Sequence, residues 1–197
     1  IQPTLFAMSL ALAAVWQSWG VRPAAIIGHS MGEVAAACLG GLLSLPDAAR
    51  VICRRSALLT RVVGQGAMAV VELSPDEAAS LASEAISVAA VNSPRGTVLS
   101  GDKVALEALV ATLDARGTFA RLVRVDVASH SAQMEPLREA LAEALDGIRW
   151  QPAQRPMMST VEGGFLSSEG VASDYWWRNL RQPVRFAEAV RMLAAQG

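Results

Sequence analysis

Three side chains in this sequence have the types and settings to do chemistry together: Ser30, Arg55 and His130. Ser30 lies in Gly28-His29-Ser30-Met31-Gly32, after the apolar run Ala24-Ala25-Ile26-Ile27 and before Glu33-Val34-Ala35-Ala36-Ala37-Cys38-Leu39. Strand, G-x-S-x-G and helix form the setting of a nucleophile elbow, a tight turn that projects a serine hydroxyl. The flanking glycines suit a close backbone approach. The N–H groups that open the next helix can face a developing oxyanion. The pattern predicts acyl chemistry on Ser30.

A serine hydroxyl needs a general base at neutral pH, and the chain has two histidines. His29 adjoins Ser30, and in most such turns its ring points away from the hydroxyl. His130, in Val127-Ala128-Ser129-His130-Ser131, can approach from elsewhere and is the expected base, although a lone loop histidine is ordinarily just solvated. Asp126 stands four residues upstream and could orient it, but nothing in the spacing requires that.

The segment Pro46–Val63 reads as a helix with four arginines. At about 100° per residue, Asp47, Arg50, Arg54 and Arg61 share one face. Ala48, Val51, Ile52, Leu58, Leu59 and Val62 fall within about 60° of Arg55. Arg55 therefore stands in the apolar stripe, where an unpaired charge costs several kcal/mol, roughly. It serves either a structural ion pair or, as a planar fork, the carboxylate of a substrate.

The elements that must position these residues begin with a helix over Thr4–Trp19, entered through Pro3 and closed by Gly20. Its apolar run Leu5–Trp16 is too short to span a membrane, which takes about 20 residues, and lacks the basic flank of a signal peptide. It reads as a buried helix. A buried strand over Ala24–Gly28 and helices over Met31–Leu39 and Pro46–Val63 follow, the pattern of an α/β layer with a parallel strand. After Gly64-Gln65-Gly66 comes a second unit: strand Ala67–Leu73, helix Pro75–Ala85 capped by Ser74, strands Ile86–Val91 and Thr97–Ser100, helix Asp102–Arg116, strand Phe119–Val125. The order βαββαβ is ferredoxin-like. Helix Pro136–Leu145, an extended Gln151–Ser159, and helix from Asp174 onward, broken at Pro183, complete the chain.

The bulk properties narrow the field. At 197 residues the chain can bury a sizeable core. A net charge of −1 gives no electrostatic case for nucleic acid or an anionic membrane. Cys38 and Cys53 lie in helical patterns and read as buried thiols in a reducing, cytoplasmic setting. No metal-ligand spacing is present. The opening Ile1 suggests a piece of something longer.

Taken together, G-H-S-x-G-E, an arginine 25 positions after the serine, Val91-Asn92-Ser93-Pro94 with Ser100-Gly101, the A-S-H motif, and Tyr175-Trp176-Trp177-Arg178-Asn179-Leu180-Arg181-Gln182-Pro183-Val184-Arg185-Phe186 resemble the malonyl-CoA:acyl carrier protein transacylase family, in particular the acyltransferase domains of modular polyketide synthases. The resemblance implies an α/β-hydrolase-like subdomain over 1–66 and 126–197, with a ferredoxin-like subdomain over 67–125. It implies that Ser30 takes an acyl group from coenzyme A and that His130 is the base. The carbonyl of Asn179 would orient His130, leaving Asp126 no role. Arg55 would hold the extender carboxylate. The N–H of Met31 would face the oxyanion, and His29, Met31, Asn92, Val127 and Ser129 would border the substrate. No cofactor is implied beyond the acyl-CoA substrate and the phosphopantetheine of an acyl carrier protein. A ketosynthase and other megasynthase domains are the further expected partners.

The family places a Gly-Gln-Gly-x-Gln segment, with a second oxyanion donor, upstream of these residues, and a last strand downstream. Loss of one such donor typically costs about 10²–10³ in rate, so the 197-residue chain alone is expected to be weakly active. Malonyl-type members read H-A-F-H before the base and methylmalonyl-type members Y-A-S-H. Here the text is Val127-Ala128-Ser129-His130, which favours methylmalonyl through the small Ser129, although Val127 departs from the tyrosine. Two rival readings share parts of this pattern: a serine esterase or thioesterase, which has no use for a buried Arg55, and a non-catalytic module that docks a carrier protein.

Overall fold

The computed structural model describes residues 1–169, 171 and 174–196. The chain runs α1 (Gln2–Ser18), β1 (Ile26–Ile27), α2 (Gly32–Leu39), α3 (Leu45–Leu59), β2 (Gly66–Val71), α4 (Pro75–Ser80), β3 (Ile86–Ser93), β4 (Gly96–Asp102), α5 (Lys103–Ala115), β5 (Ala120–Leu122), α6 (Arg138–Ala144), β6 (Met157–Ser159), β7 (Gly164–Phe165), α7 (Tyr175–Arg181) and α8 (Phe186–Ala194). Short 3-10 turns follow α3 and precede α6.

Two sheets organise the molecule, as an α/β fold. In the first, β1 pairs parallel with β6, and β6 pairs antiparallel with β7. Helices α2 and α3 pack beside it around Val34, Ala37, Leu42, Val51, Ile52 and Met157, all fully buried. The second sheet has the order β3-β4-β2-β5, antiparallel throughout. With α4 and α5 on it, this is the ferredoxin-like arrangement of the βαββαβ order, built around Leu99, Leu106 and Ala69.

Local chemistry fixes the element ends. Ser44 caps α3 by accepting the Asp47 N–H, and Ser74 forms a reciprocal capping box with Glu77 on α4. On α3, Ala48, Val51, Ile52, Arg55, Leu58 and Leu59 are buried while Arg50 and Arg54 are exposed, as the helical wheel requires.

Several expectations need correction. Helix α1 is not buried: Phe6 alone is, and Leu5, Met8, Leu12, Val15, Trp16 and Trp19 are exposed. Its run is apolar all round, so it carries no facial signal, and among the described residues it packs mainly on α2 and α3 along one side. Cys53 is exposed, next to Arg54 on the outer face of α3, and Cys38 is half-buried. The first strand shortens to Ile26–Ile27, α4 stops at Ser80, β5 spans Ala120–Leu122, and Gln151–Ser159 forms a strand only from Met157. A further short strand, Gly164–Phe165, lies in a stretch that carries no strand pattern in the sequence.

Leu99 is fully buried in β4, between β3 and β2. Leu99→Ala is expected to cost about 2–5 kcal/mol. Urea denaturation should report this as a lower midpoint at unchanged slope.

Candidate active site

The turn between β1 and α2 holds Ser30 at φ +52°, a left-handed conformation unusual for a residue with a Cβ. Two backbone bonds close it: the Gly32 N–H donates to the His29 carbonyl (2.9 Å) and the Glu33 N–H to that of Ser30 (3.0 Å). The two glycines are not equivalent. A Cβ on Gly28 would stand 2.3 Å from the Glu33 nitrogen, whereas one on Gly32 would meet nothing within 4 Å. Only Gly28 is required for close approach of strand and helix.

His130 is also left-handed, at φ +64°, and 3% exposed. Its Nε2 lies 2.7 Å from Ser30 Oγ. Its Nδ1 lies 2.8 Å from the carbonyl oxygen of Gln182. A carbonyl can only accept, so Nδ1 carries the proton and Nε2 is the free acceptor for the serine hydroxyl. The orienting carbonyl is thus that of Gln182, not Asn179. The physical reason is Pro183: a residue before proline is driven to extended backbone, and Gln182 has φ −85°, ψ 158°. That turns its carbonyl out of the helical direction and onto the imidazole. The His130 N–H donates to the carbonyl of Leu180 (2.9 Å). Both acceptors come from the C-terminal end of α7, where carbonyls lack helical partners. Asp126 is exposed, away from this contact.

Arg55 is 1% exposed. One terminal nitrogen donates to Gln2 Oε1 (2.6 Å), the other lies 3.4 Å from Ser30 Oγ, and Nε has no partner. Among the described residues no carboxylate forms an ion pair with it. Burial lowers its pKa to about 10, against an opposing pull from Glu33, so it is charged at neutral pH.

Ser30, Arg55 and His130 share one cavity of about 190 Å³ with His29, Val127 and Ser129. Met68, Ala90 and Val98 of the second sheet close its far wall. The His29 ring turns from the serine to Asn92 Oδ1 (2.8 Å), so Asn92 reaches the site through His29 rather than by bordering this cavity. The Met31 side chain does not border the cavity either; it packs half-buried against the core. Its N–H donates to no other group among the described residues.

Sequence reasoning missed Glu33. It is fully buried, and its carboxylate accepts from the Thr160 N–H (2.6 Å) and hydroxyl (2.9 Å), the Tyr175 hydroxyl (2.6 Å) and Asn179 Nδ2 (2.9 Å). Burial raises its pKa, and these bonds oppose that. Four donors suit a carboxylate, which only accepts. A glutamate opening an otherwise apolar helix was the available signal.

The elbow hydroxyl of Ser30, the imidazole of His130 and the buried guanidinium of Arg55 thus meet in one cavity of an α/β fold. The Acyl transferase domain family model matches residues 1–197, and the chain belongs to that family. It is 46% identical over 201 residues to the spectinabilin polyketide synthase system protein NorA' of Streptomyces orinoci, covering all of this chain and 6% of that protein. The acyltransferase domain from module 8 of the salinomycin polyketide synthase superposes with a TM-score of 0.94 at 44% identity, over 98% of this chain and 46% of that one. A loading acyltransferase from the avermectin modular polyketide synthase gives 0.93 at 43%, over 98% and 63%. The chain is an acyltransferase domain of the polyketide synthase type, and it spans a small part of the large proteins to which it is similar.

Two predictions follow from this geometry. Gly28→Ala should abolish the native fold or the reactivity of Ser30, while Gly32→Ala should fold as well as the parent, a contrast that circular dichroism and serine labelling will resolve. Burial, then the Arg55 charge, pushes His130 down to about 3, with a smaller push from His29 and an opposing one from the Gln182 carbonyl. An unfolded histidine protonates near pH 6.5 or so, so the stability tied to neutral His130 is complete above that pH. It is lost as pH falls toward about 3. His130→Gln should flatten that part of the stability–pH curve in urea titrations.

Proposed function

We propose that this domain transfers a malonyl-type extender unit, methylmalonyl in preference, from coenzyme A to the phosphopantetheine thiol of an acyl carrier protein. The observation that carries the reading is Arg55: a guanidinium 1% exposed, without a carboxylate partner among the described residues, in the same cavity as Ser30. A buried cation left unpaired is costly, and the free carboxylate of a malonyl thioester supplies the missing charge in bidentate form.

Ser30 Oγ attacks the thioester carbonyl carbon as His130 Nε2 takes the hydroxyl proton. The Met31 N–H faces the oxyanion. The C–S bond breaks, and His130 returns the proton to the departing thiolate, leaving an acyl-enzyme. The carrier thiol then attacks in the reverse sense, a ping-pong cycle. Burial and then the Arg55 charge depress the His130 pKa. A carboxylate seated on Arg55 would offset the second of these causes and leave the first in place.

Ser129 and Val127 stand in the cavity wall. Their small volume leaves room for an α-methyl group, which supports methylmalonyl. The esterase reading shares Ser30 and His130 but gives Arg55 no task. The docking-module reading leaves the Ser30–His130 contact without purpose. Donor and carrier are substrate and partner rather than resident cofactors. A ketosynthase and other megasynthase domains are the neighbours, in a cytoplasmic setting. No described helix is long and apolar enough to cross a membrane.

Intact mass should register the acyl adduct on Ser30 after mixing with methylmalonyl-CoA, and Ser30→Ala should abolish it. In competition, methylmalonyl should exceed malonyl by about 10–200-fold at most; a malonyl preference overturns the steric argument. Arg55→Ala should slow acylation by carboxylated thioesters about 10²-fold or more while sparing neutral ones. It should also move the acidic limb of the acylation rate to higher pH, because a cause of the low His130 pKa is gone.

A further inference from the structure

Three groups that reach the site come from one short stretch at the end of α7. The Leu180 and Gln182 carbonyls accept from His130, while the Asn179 side chain faces the nucleophile. Asn179 is 1% exposed, and its Nδ2 donates both to the carbonyl oxygen of Ser30 (3.1 Å) and to Glu33 Oε2 (2.9 Å). Both partners only accept, so the orientation of the amide is fixed by chemistry. The price of this arrangement is visible in the same group: Asn179 Oδ1 is buried without a partner. An amide kept in such a place serves its two donated bonds.

We propose that Asn179, oriented by the buried Glu33 carboxylate, is a positioning residue that sets the left-handed nucleophile Ser30 in register with its base His130. Ser30 and His130 are the non-glycine residues with positive φ among those described, and each needs its surroundings to hold it there. Asn179 grips the carbonyl of one, and its chain neighbour Leu180 grips the N–H of the other. Glu33 makes the grip directional. Its other donors, from Thr160 and Tyr175, anchor the carboxylate in β6–β7 and α7 territory, so Nδ2 has a fixed acceptor on one side and the elbow on the other. The role is distinct from that of the main-chain carbonyl of Asn179, which does not reach the imidazole.

This inference rests on Ser30 being the nucleophile, and the test separates the two. Ser30 is labelled with a fluorophosphonate: the Oγ–P bond forms, the P–F bond breaks, fluoride leaves and His130 takes the hydroxyl proton. The readout is the labelling rate per folded molecule, by intact mass. Absence of labelling in the parent protein refutes the nucleophile. Given labelling in the parent, Asn179→Ala should slow it about 10–100-fold, the scale of an ångström-sized misplacement. The half-saturating probe concentration should stay unchanged. Thr97→Val, which removes a buried hydroxyl bond to the Leu73 carbonyl in the other sheet, should lose stability and keep its labelling rate. Glu33→Gln should slow labelling by less, and the double variant Glu33→Gln/Asn179→Ala should be no slower than Asn179→Ala alone. Labelling at the parent rate in Asn179→Ala, or equal slowing in Thr97→Val, overturns the proposal. Should Asn179→Ala fail to fold, Glu33→Gln decides: a slower rate at unchanged probe affinity supports the role, and a parental rate overturns it.

Discussion

The site depends on two residues being held in backbone conformations that they would not choose. Ser30 and His130 both lie at positive φ, where an L-residue with a Cβ is disfavoured by roughly 1–2 kcal/mol. Their surroundings must over-determine them. For Ser30 this comes from the first turn of α2 and from the approach of Gly28 to the Glu33 backbone. For His130 it comes from the frayed carbonyls at the end of α7. A helix C-terminus carries partial negative charge, so it can orient a neutral imidazole without a carboxylate beside it, and in the proposed reaction it would steady an imidazolium.

Arg55 sets the opposing electrostatic demand. Its charge lies in a desolvated cavity with an amide and a hydroxyl for company, and Glu33 acts on it through space rather than through contact. The same charge lowers the basicity of the neighbouring His130, second to burial itself. In the proposed reaction a carboxylated acyl group would offset that charge, whereas a neutral one would leave the guanidinium unpaired.

What the sequence made legible follows from what a periodicity can encode. The Arg55 stripe was readable because α3 is amphipathic and an ionised residue on its apolar face stands out. The elbow was readable because G-x-S-x-G has few structural meanings between a strand and a helix. The α/β class and the βαββαβ order came through for the same reason: alternation and helical spacing survive at the level of single elements. Backbone directions did not. Which carbonyl meets His130 depends on where α7 ends, and the choice between Asn179 and Gln182 hung on the extended residue that Pro183 enforces. Helix α1 misled because uniform hydrophobicity reports composition, not a face. Cys53 misled because cysteine is so often buried, whereas its place on α3, beside Arg54, is exposed.

The link between α7 and α8 joins the base to the wall of the cavity. Gln182 holds the imidazole, and two residues later Val184 enters β-type pairing with β3. The Val91 N–H donates to the Val184 carbonyl (2.9 Å) and the Val184 N–H to that of Ala89 (2.9 Å). Ala90, between those partners, borders the cavity across from Ser30. His29, the neighbour of the nucleophile, reaches the same strand through Asn92. The second sheet is thus tied to both the Gln182 segment that holds His130 and the elbow of Ser30 by short backbone and side-chain bonds. A shift of β3 against the elbow would change the room around the acyl group and the aim of His130 together. Cavity size and the placement of His130 are consequently not independent here, and a substitution at Ala90 that enlarges the wall would have to be accommodated by the same strand that indirectly holds that imidazole.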